Sequence, residues 1–157
     1  MKNIDYIELI PELKEWEEHN GHPFSPDEWI NCVGNYEHAI GYAELFWPEF
    51  FEFDGCIFVS SMPDKENYEN WLKETKGNKK SVEAVLNHIH ITDLFQVEQL
   101  TPTEAQIKYL GNRLREMWLA KARAEFPNKD ICVEFYEGDS TDLVEYQITL
   151  FQNDKKS

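Results

Sequence analysis

Apolar residues recur through most of the chain at three- and four-residue intervals, the spacing that places them on one face of an α-helix. The longest such stretch covers residues 102–126. Its apolar stripe consists of Ile107, Leu110, Leu114, Met117 and Trp118. Because charged and polar residues fill most of the positions between them, the pattern predicts one long amphipathic helix whose stripe is buried.

Start and stop signals define a further set of helices. Ser25–Glu28 and Thr101–Glu104 are typical helix starts, because the hydroxyl caps free backbone N–H groups and the proline that follows fits the first helical position. The predicted helices cover residues 3–19 with a break at Pro11, then 26–33, 36–47, 63–75, 80–90 and 102–126. The apolar stripes of two of them are Ala39, Ile40, Ala43 and Phe46, and Val82, Val85, Leu86 and Ile89.

Strands are predicted where apolar residues alternate or run together between turn residues. One strand covers Cys56–Ser60, after a turn at Asp54-Gly55. Residues 131–136 and 143–151 alternate in polarity around a turn, which predicts a C-terminal β-hairpin. The sequence therefore predicts an α+β fold: a mostly helical single domain over residues 1–157, with a small antiparallel β-sheet formed by this hairpin and one further strand. Residues 152–157 are expected to form a frayed tail.

The composition is that of a folded domain. Apolar residues make up 41% of the chain and aromatic residues 14%. Disordered chains lack the aromatic side chains whose burial offsets the loss of chain entropy. We therefore expect the charged residues to cover the surface of a domain with a substantial core.

Negative charge is concentrated at the start of the chain. The whole protein has 15 Lys and Arg against 30 Asp and Glu, a net charge of −15. Residues 1–60 alone contain 13 acids and two bases, a net charge of −11, whereas residues 101–128 have a local charge of +2. An excess of this kind repels nucleic acid and anionic membranes and attracts basic surfaces. We therefore predict a basic protein partner, with no direct binding of nucleic acid or membrane.

Several features predict a cytoplasmic protein. Asp5 and Glu8 interrupt the apolar segment that a secretory signal requires, and the longest apolar runs are far shorter than a membrane span. Cys32, Cys56 and Cys132 are an odd number of widely spaced cysteines, which favours reduced thiols over a disulfide framework.

The histidines are the first candidates for chemistry. Imidazoles at positions 88 and 90 would share one face of a strand but diverge on a helix. Because the apolar spacing predicts a helix through residue 90, a metal ion shared by His88 and His90 would require that helix to end earlier. No Cys-x-x-Cys or His-Glu-x-x-His spacing accompanies them. The sequence thus predicts no metal ligand and no cofactor.

No catalytic residue is predicted either. Glu37-His38 with Cys32 nearby suggests a Cys–His nucleophile pair, but the acidic surroundings would raise the pKa of the thiol. The glycines form no phosphate-binding loop, and no nucleophile elbow is present.

A binding role is better supported by the aromatic and acidic stretch Tyr42–Phe53. Its aromatic rings alternate with carboxylates, and no Lys or Arg occurs between Lys14 and Lys65. Aromatic anchors within a charged rim are typical of protein interfaces, although the same rings would also fill a core. The predicted partner-binding residues are Glu37, Glu44, Trp47, Glu49, Phe50, Glu52 and Asp54.

These observations favour a small acidic binding module that inhibits or regulates a basic protein, as an immunity protein or a mimic of nucleic-acid charge does. Two alternatives remain open. One is a small hydrolase or transferase whose site is assembled from distant residues such as Glu37, His38 and His88. The other is a structural subunit that self-associates through the aromatic stretch.

Overall fold

A computed structural model of the chain describes residues 4–95, 101–138 and 142–153. These residues form seven α-helices, two short 3-10 helices and five strands. The helices are α1 (Tyr6–Leu9), α2 (Glu12–Asn20), α3 (Pro26–Val33), α4 (Tyr36–Phe46), α5 (Lys65–Glu74), α6 (Lys79–Leu86) and α7 (Glu104–Glu125). The strands are β1 (Phe50–Phe53), β2 (Cys56–Val59), β3 (Ile89–His90), β4 (Ile131–Tyr136) and β5 (Gln147–Gln152), and the 3-10 helices are Ile91–Leu94 and Leu143–Glu145. The predicted α+β, mostly helical class is confirmed.

The chain divides into two compact units, residues 1–42 and residues 43–157. The prediction of a single domain stays a prediction. In the first unit the predicted break at Pro11 separates α1 from α2, and the capping box at Ser25 and Glu28 starts α3 as predicted. The indole N–H groups of Trp16 and Trp29 both donate to the Glu12 carboxylate, at 3.2 and 3.1 Å, and so connect α2 to α3.

The core of the second unit lies between α7 and a three-stranded sheet. The predicted stripe of α7 is confirmed by Ile107, Leu114 and Trp118, which are buried against the sheet's Ile148 and Leu150. The helix begins two residues later than predicted, because Thr103 rather than Thr101 is the N-cap and forms the capping box with Gln106.

The sheets differ from the prediction in their strand composition and boundaries. β4 and β5 form the predicted C-terminal hairpin, with Val133 opposite Leu150, but the strand predicted over 143–151 begins only at Gln147, because residues Leu143–Glu145 form a 3-10 helix. The third strand of that sheet is β3, at the end of the stretch predicted as a helix over 80–90. The predicted strand at Cys56 instead pairs with β1 in a separate two-stranded sheet. β5 includes Gln152, which the prediction assigned to a frayed tail, and residues 154–157 of that predicted tail lie outside the described residues.

Helix α6 joins the two sheets through buried polar side chains. The Glu83 carboxylate accepts hydrogen bonds from the backbone N–H groups of Ile57 and Gln152, both at 2.7 Å. One turn later, the Asn87 side chain accepts from the Val59 N–H at 2.9 Å and donates to the Leu150 carbonyl at 2.9 Å. Glu83 and Asn87 thus provide hydrogen-bond partners for backbone groups of β2 and β5 that are not paired with a neighbouring strand. Backbone groups at a buried strand edge need such partners.

Gly111 sets the distance between α7 and β4. A Cβ atom at this position would overlap the ring of Phe135. The missing side chain lets this ring pack directly on the helix backbone, which accounts for a glycine in the middle of a 22-residue helix.

Candidate partner-binding surface

The predicted binding residues lie on several elements. Glu37 and Glu44 are exposed on α4, Trp47 and Glu49 are exposed just after it, Phe50 and Glu52 lie in β1, and Asp54 lies in the turn before β2. Glu37 belongs to the first unit, and the other six belong to the second. Their side chains differ in burial and in partners, so the predicted set is not uniform.

Phe50 packs against the core of the second unit. Its ring lies 6.2 Å from the ring of Phe126, centroid to centroid, in an edge-on arrangement, and the Lys121 ammonium lies 5.5 Å from its centroid. Trp47 is 48% exposed. Of the two predicted aromatic anchors, Trp47 therefore has an accessible ring, whereas Phe50 mainly supports the fold.

A buried lysine holds the corner that follows α4. The Lys121 ammonium donates to the carbonyl oxygens of Pro48 at 2.6 Å and Trp47 at 3.4 Å, and it pairs with Glu125 at 3.3 Å. The buried ammonium is stabilised there because two carbonyl oxygens accept its hydrogen bonds and a carboxylate pairs with it. The corner is thus fixed by a residue more than 70 positions away in the sequence.

Two of the predicted carboxylates are neutralised by lysines from other elements. Glu52 pairs with Lys129 at 3.0 Å, and Asp54 pairs with Lys79 at 3.0 Å. Asp54 also accepts a hydrogen bond from the buried Tyr68 hydroxyl at 2.8 Å. This hydrogen bond and the ion pair hold the pKa of Asp54 below its usual value. Both carboxylates therefore have a role within the fold.

We expect Asp54→Asn to lower the unfolding temperature at pH 7, because a neutral amide cannot form the ion pair with Lys79. The pKa of Asp54 is lower in the folded than in the unfolded protein. Its stabilising contribution is therefore complete above the unfolded pKa of about 3.8 and is lost as the pH falls through the lower folded pKa. Thermal unfolding followed by circular dichroism should show a lower unfolding temperature for the variant than for wild type at pH 7. This difference in unfolding temperature should shrink below about pH 4.

The control for this prediction is Glu49→Gln, which removes an exposed carboxylate in the same segment and should leave the unfolding temperature near that of wild type. The backbone at position 54 has a positive φ of 49°, which asparagine tolerates, so the substitution itself adds no strain. A difference between Asp54→Asn and wild type that is the same at pH 3 and pH 7 would contradict the prediction.

The other three carboxylates form no ion pair among the residues that the structure describes. They are Glu37, Glu44 and Glu49, all exposed. Every described ion pair lies in residues 43–153, and Lys14 is the one Lys or Arg among residues 4–42. The first unit, residues 1–42, has nine acids against two bases. Its negative charge is thus largely unneutralised by its own side chains.

The structure adds an apolar surface that the sequence reasoning missed. No residue of α3 or α4 is buried. Ile30 and Val33 on α3 are 48% and 44% exposed, and Tyr36 and Ile40 on α4 are 89% and 66% exposed. The residues of each pair are three or four positions apart, which places them on one helix face. This spacing is the feature of the sequence from which the surface could have been predicted. The predicted stripe of α4 is therefore exposed at Ile40, although Phe46 at its end packs against the core.

His38, one of the candidates for chemistry, has a structural partner. The His38 ring nitrogen Nδ1 lies 3.2 Å from the Asn35 amide, and its backbone N–H is capped by the same side chain. Burial raises the pKa of the Cys56 and Cys132 thiols, and all three cysteines are free. In the described part of the chain, no three His, Cys, Asp or Glu side chains are grouped as metal ligands.

Comparison with known proteins gives no family for this chain. It matches no protein-family model, no curated protein and no solved structure. Among the described residues, no helix combines the length and the apolar character needed to cross a membrane.

Proposed function

We propose that the protein is a small acidic binding module, acting in the cytoplasm, that inhibits or regulates a basic protein partner. The exposed apolar faces of α3 and α4 are the contact surface in the first unit, and Glu37 belongs to its charged rim. Glu44, Trp47 and Glu49 are further candidate contacts in the second unit.

The observation that carries this proposal is that α3 and α4 bury no residue. Helices of 8 and 11 residues are marginal in water without packing of an apolar face. Within α4 only Leu45 and Phe46, at its C-terminal end, are partly buried. A partner that covers Tyr36 and Ile40 would supply the missing packing.

The chemistry of that partner follows from charge. Residues 15–64 contain no Lys or Arg, so an approaching basic surface meets no repelling cation in this stretch. A carboxylate rim around apolar anchors steers a basic protein and slows acidic competitors. Self-association through the same faces is disfavoured, because each chain has a net charge of −15. The free thiols support a reducing compartment.

The proposal is tested by site-specific photo-crosslinking in the native host, with Tyr36 replaced by p-benzoylphenylalanine. The matched control places the same residue at Tyr136, which is 58% exposed on β4. We expect position 36, and not position 136, to give a discrete crosslink to a protein with a basic isoelectric point. The yield should fall when salt is raised before irradiation. A crosslink to a second copy of the chain, to an acidic protein, or no crosslink at all would refute the proposal.

A further inference from the structure

His88 and His90 lie side by side at the edge of the three-stranded sheet. Helix α6 ends at Leu86 and β3 begins at Ile89, so His88 immediately precedes the strand and His90 lies in it. Side chains at this spacing point to the same side of a strand. The two imidazole rings are 4.5 Å apart, centroid to centroid, with an angle of 77° between their planes.

The hydrogen bonding of His90 leaves one ring nitrogen available. Its Nδ1 lies 2.6 Å from the carbonyl oxygen of Val144. A carbonyl oxygen only accepts, so Nδ1 carries the proton and donates, and the lone pair of the neutral ring is at Nε2. Metal-binding histidines commonly use this arrangement, because a carbonyl partner fixes both the tautomer and the orientation of the ring.

A shallow cleft of about 360 Å³ opens beside His90. The cleft is lined by one residue from each strand of the sheet, and these three residues lie opposite one another: His90, Gln147 and Tyr136. Val144 and Glu145 also line the cleft. Oxygen-bearing side chains of β4, β5 and the 3-10 helix Leu143–Glu145 therefore line the same cleft as the His90 imidazole.

We propose that His88 and His90 together bind one divalent transition-metal ion of the class that prefers imidazole, with Zn²⁺ as the representative ion. The two nitrogens act as a chelating pair, and water or an oxygen donor of the cleft completes the coordination. This is an open site with two protein nitrogens, unlike the four-ligand sites that stabilise small folds. It is independent of the proposed partner surface, and it revises the expectation that the chain has no metal ligand.

The test is isothermal titration of the purified protein with Zn²⁺ at pH 7.5, compared with His88→Gln and His90→Gln. We expect one Zn²⁺ per chain in wild type, and at least tenfold weaker binding in each variant, because each loses the chelate. His88 is exposed and its ring forms no hydrogen bond or ion pair with a described residue, so His88→Gln remains informative if His90→Gln loses stability with its Val144 contact. Far-UV circular dichroism establishes that each variant is folded.

Two controls separate this site from general attraction of cations to an acidic protein. His22→Gln removes an exposed histidine whose Nδ1 also lies near a backbone carbonyl, that of Pro23 at 3.0 Å, and should leave Zn²⁺ affinity unchanged. Mg²⁺, which prefers oxygen ligands, should not compete. The proposal is overturned if wild type does not bind Zn²⁺, if His88→Gln binds as tightly as wild type, or if Mg²⁺ competes equally.

Discussion

Glu83→Gln should destabilise the second unit by about 1–3 kcal/mol, a substantial part of the total stability of a domain of this size. Glu83 is 1% exposed, and its two carboxylate oxygens accept from the backbone N–H groups of Ile57 and Gln152. A glutamine has the same shape but only one accepting oxygen. Whichever way its amide is turned, its NH₂ group faces one of these buried donors.

The cost of this change is the desolvation of a donor without a partner, which is larger than the net value of an ordinary hydrogen bond. Because Glu83 links β2 to β5, we expect the loss to affect the cooperative unfolding of the whole second unit. Urea unfolding at pH 7 measures it through the midpoint, with an unchanged dependence on denaturant showing that the same surface unfolds.

The matched control is Glu69→Gln on α5, which removes an exposed carboxylate paired with Lys65 at 3.7 Å. Exposed pairs contribute about 0–1 kcal/mol, so this variant should unfold close to wild type. A loss below about 1 kcal/mol for Glu83→Gln would show that solvent or a rearrangement of α6 satisfies the donors, contrary to the closed network described above.

The parts of the fold that the sequence predicts are those determined by local pattern. The stripe of α7 and the alternation in β4 and β5 each extend over many residues, so one ambiguous position does not change the prediction. The end of α6 shows the opposite case. Ile89 continues the helical spacing of Val82, Val85 and Leu86, yet it pairs with Ile148 in the sheet. Tertiary pairing overrides periodicity at an element boundary.

For the candidate surface, the sequence indicates which residues are acidic or apolar, but not which of them are paired or exposed. Pairing and exposure depend on residues that are distant in the sequence. Local composition shows no cation near Glu52 or Asp54, but the fold brings Lys129 and Lys79 to them. The apolar spacing of α4 is the same whether its face is covered by this chain or by another protein. Exposure of Ile40 is therefore a property that only the three-dimensional structure establishes.

Reversal of the two acids on α4, Glu37→Lys with Glu44→Lys, should slow association with the crosslinked basic partner tenfold or more at low salt. Electrostatic steering acts on the encounter, so the effect should appear in the association rate and shrink as salt screens the charges. Folding should be little changed, because these exposed carboxylates form no ion pair among the described residues.

The apolar residues of α4 should affect the dissociation rate. We expect Tyr36→Ala and Ile40→Ala to increase the dissociation rate about tenfold or more, with little change in association, because short-range packing is lost only after the encounter. Surface-plasmon kinetics at two ionic strengths separates the two effects.

The matched control for the charge reversal on α4 reverses two exposed acids on α5, Glu66→Lys with Glu74→Lys, which changes the net charge equally. If this control slows association as much as the α4 reversal, or if neither does, the negative charge of α4 does not steer the partner. An unchanged dissociation rate in both alanine variants would remove α4 from the interface.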